Sequence, residues 1–244
     1  GVCNACNNFL NRTTVNWAER KNEFITIMNK YSNENNYDCI IPVSWWKDST
    51  YQVIKVMSLW YKPLCVTSTT CHLSQIWRNN IENIKRLWVD YIEFTINPNL
   101  RKKINKIWLF ELWDISWPEH ASIFTLPIKV AVSYKIPLII WWENSQNEYW
   151  WPAGSTENNI LDRKWLEEFW WLLWMRITDL IWVEWITKKD LLPFFYPSDE
   201  ELKEVWVTWL FLWYYFPWDW YKNALISKWH WFETFNKTVE WSIV

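Results

Sequence analysis

The fold of this chain is decided by one stretch of sequence, which reads Tyr37-Asp38-Cys39-Ile40-Ile41-Pro42-Val43-Ser44-Trp45-Trp46-Lys47-Asp48-Ser49. An apolar run ends at Val43, and residues 49–59 then place apolar side chains at helical spacing. The stretch therefore predicts a buried strand, a short turn and a helix. Two tryptophans stand in the turn, where a chain that bends over few residues normally uses small side chains.

The same alternation continues along the chain and predicts an α/β fold with a parallel sheet and helices on both faces. The strand patterns cover residues 38–43, 63–67, 91–95 and 137–141. The helix patterns cover residues 17–31, 49–59, 74–87, 100–112 and 121–134. In the second half we expect helices over 158–173, 187–192, 198–205 and 221–229, with a strand over 210–216.

The composition is unusual, because the 244 residues include 27 tryptophans and only 2 glycines. An ordinary chain of this length would hold about 17 glycines. Trp60 and Trp88 follow helical patterns directly, at the position where a left-handed residue, usually glycine, ends a helix. Our hypothesis is that most of these tryptophans are glycines in the cellular protein, through a UGA codon that the organism reads as glycine. The composition, rich in Asn, Ile and Lys, suits an AT-rich genome in which such codon reassignment is plausible.

Charge and apolar patterning limit the partners. The formal net charge is −2, which gives no electrostatic footprint for nucleic acid. The longest apolar run, residues 205–218, is shorter than the roughly 20 residues of a membrane-spanning helix. Five cysteines are an odd number and do not form a disulfide framework of regular spacing. We therefore expect a cytoplasmic protein that binds neither nucleic acid nor membrane.

With glycine at positions 45 and 46 the turn would read Ser-Gly-Gly-Lys-Asp-Ser, which resembles the pyrophosphate loop (PP-loop) of the ATP pyrophosphatase superfamily. Glycine lets backbone N–H groups approach phosphate oxygens, and the following helix adds free N–H groups and its dipole. Ser44 and Ser49 can donate hydroxyls, Lys47 can add a charge, and Asp48 can cap the helix or help to hold Mg²⁺. The alternative is an aromatic surface turn.

The chain as a whole resembles the N-acetyl sugar amidotransferase family of lipopolysaccharide and flagellin sugar biosynthesis. The resemblance rests on Gly1-Val2-Cys3-Asn4-Ala5-Cys6, Asn16-Trp17-Ala18-Glu19-Arg20, the 37–49 stretch, Ile136-Pro137-Leu138-Ile139-Ile140-Trp141-Trp142-Glu143-Asn144, Leu191-Leu192 through Glu201, and Phe216-Pro217-Trp218-Asp219-Trp220. It implies an adenine nucleotide alpha-hydrolase-like fold. It also implies an enzyme that uses ATP to convert an acetamido group to an acetamidino group, with ammonia from a glutaminase subunit and a possible cyclase-like subunit.

This resemblance divides the chain into three expected regions. Residues 1–36 hold a cysteine-containing segment and a helix, residues 37–150 the PP-loop core, and residues 151–244 a substrate-side region, with both ends cut from a longer protein. Cys3 and Cys6 are half of a possible zinc knuckle. Five tryptophans match aromatic positions of the family and are expected to be genuine, while Trp229 fits either residue. They are Trp17, Trp117, Trp141, Trp165 and Trp218.

Further candidates lie near predicted strand and helix ends. Glu143 and Asn144 follow a strand and are candidates for Mg²⁺ or sugar contact, or a polar turn. His120 is a candidate general base for ammonia, or a structural histidine. Thr67 begins a polar run that lines an adenosine pocket or is a plain loop. Two further cations, Arg101 and Lys129, are phosphate contacts or, the better interpretation, solvated surface.

Two other functions stay open at this point. One is a different PP-loop ATP pyrophosphatase, such as a tRNA-thiolating enzyme or an amide ligase. The other takes the tryptophans as real and predicts a non-catalytic, aromatic-rich binding module with its tryptophans on one exposed face. Literal tryptophans at 45 and 46 would fill the phosphate site and leave the enzyme inactive.

Overall fold

Five parallel strands form the centre of the structure, a computed structural model that describes residues 15–69, 73–142 and 176–236. The strand order is β3-β2-β1-β4-β5. The strands are β1 Cys39–Pro42, β2 Pro63–Thr69, β3 Asp90–Thr95, β4 Leu138–Trp141 and β5 Thr208–Phe211. In the register of the sheet, Ile40 lies opposite Leu64 on one side and Ile139 on the other.

Helices connect these strands and begin at residues that cap them. They are α1 Trp17–Tyr31, α2 Lys47–Met57, α3 Gln75–Lys85, α4 Pro98–Leu112, α5 Trp117–Tyr134, α6 Asp199–Val205, α7 Leu212–Tyr215 and α8 Trp220–Trp229. Side chains of Asn16, Ser74 and Ser198 accept hydrogen bonds from the first turns of α1, α3 and α6. Ser198 and Glu201 form a reciprocal capping box, as the predicted helix start requires.

The strands are apolar because both faces of the sheet are covered. Cys39 and Ile41 point to one face and pack with Phe24 of α1 and Val53 of α2. Ile40 points to the other face, where α5 covers the sheet through Ile128 and Ala131. A third apolar cluster lies between α4, the start of α5 and residues 180–194. The predicted fold class, a parallel α/β sheet with helices on both faces, is confirmed.

The structure corrects three sequence predictions. Residues 187–192 form a turn followed by the short 3-10 helix Leu192–Phe194. Thr187 and Asp190 exchange hydrogen bonds as a capping box does, but Pro193 has no N–H with which to continue a helix. The predicted strand over 210–216 ends at Phe211 and continues as α7. Strand β2 extends two residues past its predicted end, to Thr69. The helix predicted over 158–173 lies outside the described residues.

Left-handed backbone coincides with tryptophan throughout the described chain. Nine non-glycine residues have positive φ, and seven of them are tryptophan: Trp60, Trp88, Trp113, Trp182, Trp185, Trp206 and Trp231. These seven indoles are between 59% and 96% exposed, so packing does not hold the backbone in this conformation. Trp60 and Trp88 therefore have the geometry that the sequence predicted for them.

Helix ends show why glycine geometry is needed. At the end of α6, the Trp206 N–H donates to the Lys203 carbonyl and the Val207 N–H to the Leu202 carbonyl, which is the hydrogen bonding of a left-handed helix terminus. A left-handed L-residue costs about 1–2 kcal/mol. Seven such residues would cost about 7–14 kcal/mol, as much as the whole stability of an ordinary domain. Glycine carries no such cost.

The other tryptophans in the described part of the chain do not have positive φ, and some of them are buried while others are exposed. Trp117 and Trp141 are buried and Trp218 packs edge-on against Tyr51, as expected for genuine aromatic residues. Trp108 and Trp209 are also buried. The hypothesis that most tryptophans are glycines in the cellular protein would nevertheless assign these two positions to glycine. The backbone therefore indicates glycine at the seven left-handed positions and gives no reason for it at Trp108, Trp209 or Trp229.

Trp206→Gly is expected to raise the free energy of unfolding by about 0.5–1 kcal/mol, because relief of the left-handed strain exceeds the entropy that glycine adds to the unfolded chain. Trp206 is 79% exposed, so little packing is lost. The matched control is Trp229→Gly, which changes an 86% exposed residue at the last position of α8, where φ is not positive, and should cost about 0.5 kcal/mol. Urea unfolding measures both. Equal destabilisation by the two substitutions would contradict the assignment.

Candidate nucleotide-binding site

The turn after β1 lies where the strand order of the sheet reverses. From β1 the chain continues to β2 and β3 on one side, whereas β4 and β5 lie on the other. In open parallel sheets, ligands bind beyond the carboxyl ends of the two strands at such a point. The buried Gln52 of α2 donates from Nε2 to the Ile140 carbonyl of β4, which fixes α2 against both central strands. The residues 44–49 therefore occupy the expected ligand position of this fold.

Hydroxyl groups brace this turn from within. The Ser49 Oγ accepts from the Ser44 N–H at 3.0 Å, and the two serine Oγ atoms lie 3.0 Å apart. Trp46 is the N-cap of α2, and no side chain caps that end of the helix. The first-turn N–H groups of a helix have no partner within it. The turn thus presents hydroxyls, backbone N–H groups and the positive end of a helix dipole, and these are groups that bind anions in proteins.

The two turn tryptophans fill space but do not strain the backbone. The Trp46 φ is −82°, and neither Trp45 nor Trp46 is among the residues of positive φ. The Trp45 ring stacks on Trp77 of α3 at 5.2 Å between centroids, and its buried indole N–H has no hydrogen-bond partner. The case for glycine at these two positions therefore rests on close approach to a ligand, and not on φ.

Lys47 and Asp48 form an ion pair at the start of α2. The Asp48 carboxylate is buried, and its second oxygen accepts from Asn223 Nδ2 at 3.1 Å. Within the described ranges, no group of three or more His, Cys, Asp or Glu side chains could hold a metal ion. A Mg²⁺ ion at Asp48 would therefore take its remaining ligands from phosphate oxygens and water, as Mg²⁺ at nucleotides commonly does.

The neighbouring strand β2 ends in a polar cluster. Thr67 is buried within the strand, while Ser68 donates to Ser122 of α5 at 2.8 Å and Thr69 donates to Glu93 of β3 at 2.8 Å. Glu93 also pairs with Arg78 at 2.6 Å and with a lysine of α3. Burial alone would raise the pKa of Glu93, but the hydrogen bonds from Arg78, Thr69 and that lysine outweigh it and lower the pKa.

His120 lies at the same edge of the sheet as the turn. It precedes by two residues Ser122, which accepts from Ser68 at the carboxyl end of β2. Burial lowers the pKa of His120, against the attraction of Asp114, so the imidazole is neutral at pH 7. Burial raises the pKa of the neighbouring Glu119, and the charge of Arg101 opposes that rise.

Arg101 and Lys129 are not the solvated surface residues that the sequence predicted. Arg101 is buried, donates from Nε to Asn105 at 2.8 Å and lies 3.5 Å from the Glu119 carboxylate. Lys129 donates to the Leu192 carbonyl at 2.7 Å and so ties α5 to the 192–194 turn. Their long side chains are taken up by tertiary contacts that a solvated surface residue would not make.

Several candidates lie outside the described residues: Cys3, Cys6, Glu143 and Asn144. Their assigned roles remain predictions. Conversely, the structure adds three side chains that the sequence did not indicate: Asn80 and Asn223, which contact the turn, and Gln52, which holds α2 to β4. Asn80 and Asn223 contact the turn from positions 35 and 175 residues away from their partners, so no local pattern could have identified them.

Comparison with known proteins adds little to this geometry. No protein-family model and no curated protein matches the sequence. Among solved structures, a similar chain is a predicted subunit of tRNA methyltransferase from Methanocaldococcus jannaschii, with 14% identity and a TM-score of 0.34. The similarity covers 49% of this chain and 59% of that chain. A likeness this distant carries no argument about function. Separately, none of the described helices is long and apolar enough to cross a membrane.

Glu93→Gln tests the polar cluster. A carboxylate whose folded pKa is lowered adds stability above its unfolded pKa and loses it as the pH falls through the folded pKa. We expect a loss of about 1–3 kcal/mol at pH 7, which shrinks below about pH 4.5 as the parent Glu93 is protonated. Urea unfolding at pH 7, 5 and 3 measures it. Glu23→Gln is the control, since Glu23 pairs with Arg20 on the exposed face of α1 and shares no partner with Glu93. A pH-independent difference would contradict the assignment.

Proposed function

We propose that this chain is the ATP-binding part of an amidotransferase that converts the N-acetyl group of a nucleotide-linked or glycan-precursor sugar to an acetamidino group, in surface polysaccharide or flagellin glycan synthesis. The observation that carries the proposal is the turn of residues 44–49, which lies at the strand-order reversal and leads into the uncapped N-terminus of α2. The proposal requires glycine at positions 45 and 46, because indole rings would occupy the space of the phosphates.

The turn would bind the phosphates of ATP. Backbone N–H groups of residues 45–49 and the hydroxyls of Ser44 and Ser49 would donate to phosphate oxygens, and Lys47 would add a positive charge. Mg²⁺ held by Asp48 would neutralise charge on the pyrophosphate that leaves. Thr67 would not contact the nucleotide itself, because its side chain is buried. It would act only by supporting the end of β2.

The proposed reaction has two steps. The acetamido oxygen of the sugar attacks the α-phosphorus of ATP, the bond to the β-phosphate oxygen breaks, and pyrophosphate leaves. Ammonia then attacks the activated acetamido carbon, AMP leaves with the original oxygen, and a proton is lost to give the acetamidino group. A neutral His120, favoured by its lowered pKa, would accept that proton.

The remaining assignments follow the family that the sequence resembles. Glu143 and Asn144 would contact the sugar or Mg²⁺ beyond the carboxyl end of β4. A glutaminase subunit would supply the ammonia, with a cyclase-like subunit as a possible further partner. Cys3 and Cys6 would hold Zn²⁺ together with two further ligands, because a tetrahedral site needs four.

A chain with Trp45→Gly and Trp46→Gly is expected to release pyrophosphate from Mg·ATP only when an N-acetyl sugar is present, and to turn over repeatedly only when ammonia is added as well. The parent chain, with its indoles in the phosphate space, should release none. The assay uses ammonium chloride and a panel of nucleotide-linked N-acetylhexosamines. Pyrophosphate release that needs no sugar would contradict the amidotransferase and favour another PP-loop enzyme.

In the glycine-substituted chain, Ser49→Ala should lower kcat/KM for ATP about 10- to 100-fold, since a hydrogen bond to a charged group contributes about 1.5–3 kcal/mol. The control is Ser58→Ala at the opposite end of α2, where the hydroxyl donates only to the Lys55 carbonyl. Steady-state pyrophosphate release measures both variants. Equal activity in the two would remove Ser49 from the site.

A further inference from the structure

The chain near its C-terminal end returns to the phosphate turn and binds it from two sides. We call residues 219–233 the C-terminal strap. Within it, α8 packs along α2, where Asn223 donates to Asp48 Oδ1 at 3.1 Å and the Ser227 hydroxyl donates to the Lys47 carbonyl at 2.8 Å. Both strap side chains are fully buried. The first two residues of α2 are therefore held by the strap and not only by their own helix.

After α8 the strap turns back over α3. The turn is made by Trp231, one of the left-handed residues, and its carbonyl accepts from Asn83. Glu233 then pairs with the side-chain amide of Asn80, which accepts from its N–H at 2.7 Å and donates to its carbonyl at 3.1 Å. A glycine at position 231 would make this reversal without strain.

Asn80 joins the strap to the turn directly. Its Nδ2 lies 3.4 Å from the Trp45 carbonyl as well as within hydrogen-bond distance of Glu233. In a trans peptide the carbonyl and the N–H point in opposite directions. A contact that holds the carbonyl of residue 45 therefore sets the direction of the N–H of residue 46, which donates to Ser44 Oγ at 3.3 Å within the turn.

The contacts between the strap and the rest of the chain are made by buried polar side chains. Asn80, Asn83, Asn223 and Ser227 are all at most 5% exposed, and each makes a hydrogen bond to another part of the chain. A buried amide without a partner is unfavourable, so a docked strap provides partners that these side chains would otherwise lack. The arrangement links the conformation of the turn to the docking of the strap.

We propose that the C-terminal strap is part of the ATP site, with Asn80 and Asn223 as positioning residues for the turn backbone and for Asp48. The identity of the ligand rests on the proposed function, whereas the link between strap and turn does not. ATP binding and strap docking strengthen each other by the same factor, because coupling between two binding equilibria is reciprocal. A chain with an undocked strap binds ATP weakly even when the sheet is intact.

The test measures Mg·ATP binding by calorimetry, without sugar, in the chain that carries Trp45→Gly and Trp46→Gly. Asn80→Ala and Asn223→Ala should each weaken binding about 10-fold or more, as expected for loss of a buried hydrogen bond at a charged site. The control is Asn79→Ala on the same helix, because Asn79 donates only to the Glu233 carboxylate and does not contact the turn. It should bind within about twofold of the parent.

Two additions separate positioning from folding. Ser227→Ala removes a single hydroxyl and should weaken Mg·ATP binding severalfold without loss of the folded state. Hydrogen exchange of the glycine-substituted chain should show that Mg·ATP protects residues 220–233 more than it protects α4, an effect that a purely structural strap would not give.

Equal Mg·ATP affinity in the Asn80, Asn223 and Asn79 variants, or no protection of the strap, would overturn the proposal. A chain that does not bind Mg·ATP overturns both this proposal and the proposed function. Coupling with no sugar-dependent pyrophosphate release supports the strap and refutes only the amidotransferase.

Discussion

Every strand from β2 to β5 is preceded by a helix that must end, turn and re-enter the sheet within a few residues, and this constraint controls the whole structure. The turn is made in each case by a left-handed residue: Trp60 before β2, Trp88 before β3, Lys135 before β4 and Trp206 before β5. Left-handed backbone is the conformation that glycine adopts freely and a bulky residue does not. Glycine at the three tryptophan positions would make these turns without strain, whereas the turn before β4 is made by a left-handed lysine.

The opposite edge of the sheet has a different requirement. Under the proposed function the turn after β1 must leave room for a ligand, and no residue in it needs positive φ. Trp45 instead stacks on Trp77 with its indole N–H unsatisfied, and Trp46 is 48% exposed at the start of α2. A non-catalytic binding module would place its tryptophans on one exposed face. The exposed tryptophans instead lie at helix ends around the molecule, and Trp46 lies at the edge of the sheet opposite Trp60.

Sequence reasoning succeeded where the signal is local. The helix α1 was predicted to the residue, and the capping box at Ser198 located the start of α6, because caps and apolar periodicity act within one or two turns. It failed over residues 187–192, where Pro193 prevents the turn that Thr187 begins from continuing as a helix, and over 210–216, where a short apolar run fits strand and helix equally. Asn80 and Asn223 were beyond its reach, since their partners are distant in sequence.

One measurement tests the central claim, that the turn after β1 is a glycine loop open to phosphate. It is the mass of the tryptic peptide of residues 31–47 from the protein isolated from its own cells. The account expects a peptide lighter than the printed sequence by two indolylmethylene groups, with glycine at positions 45 and 46 in the fragment spectrum. A peptide of the full printed mass, with tryptophan at both positions, would contradict it.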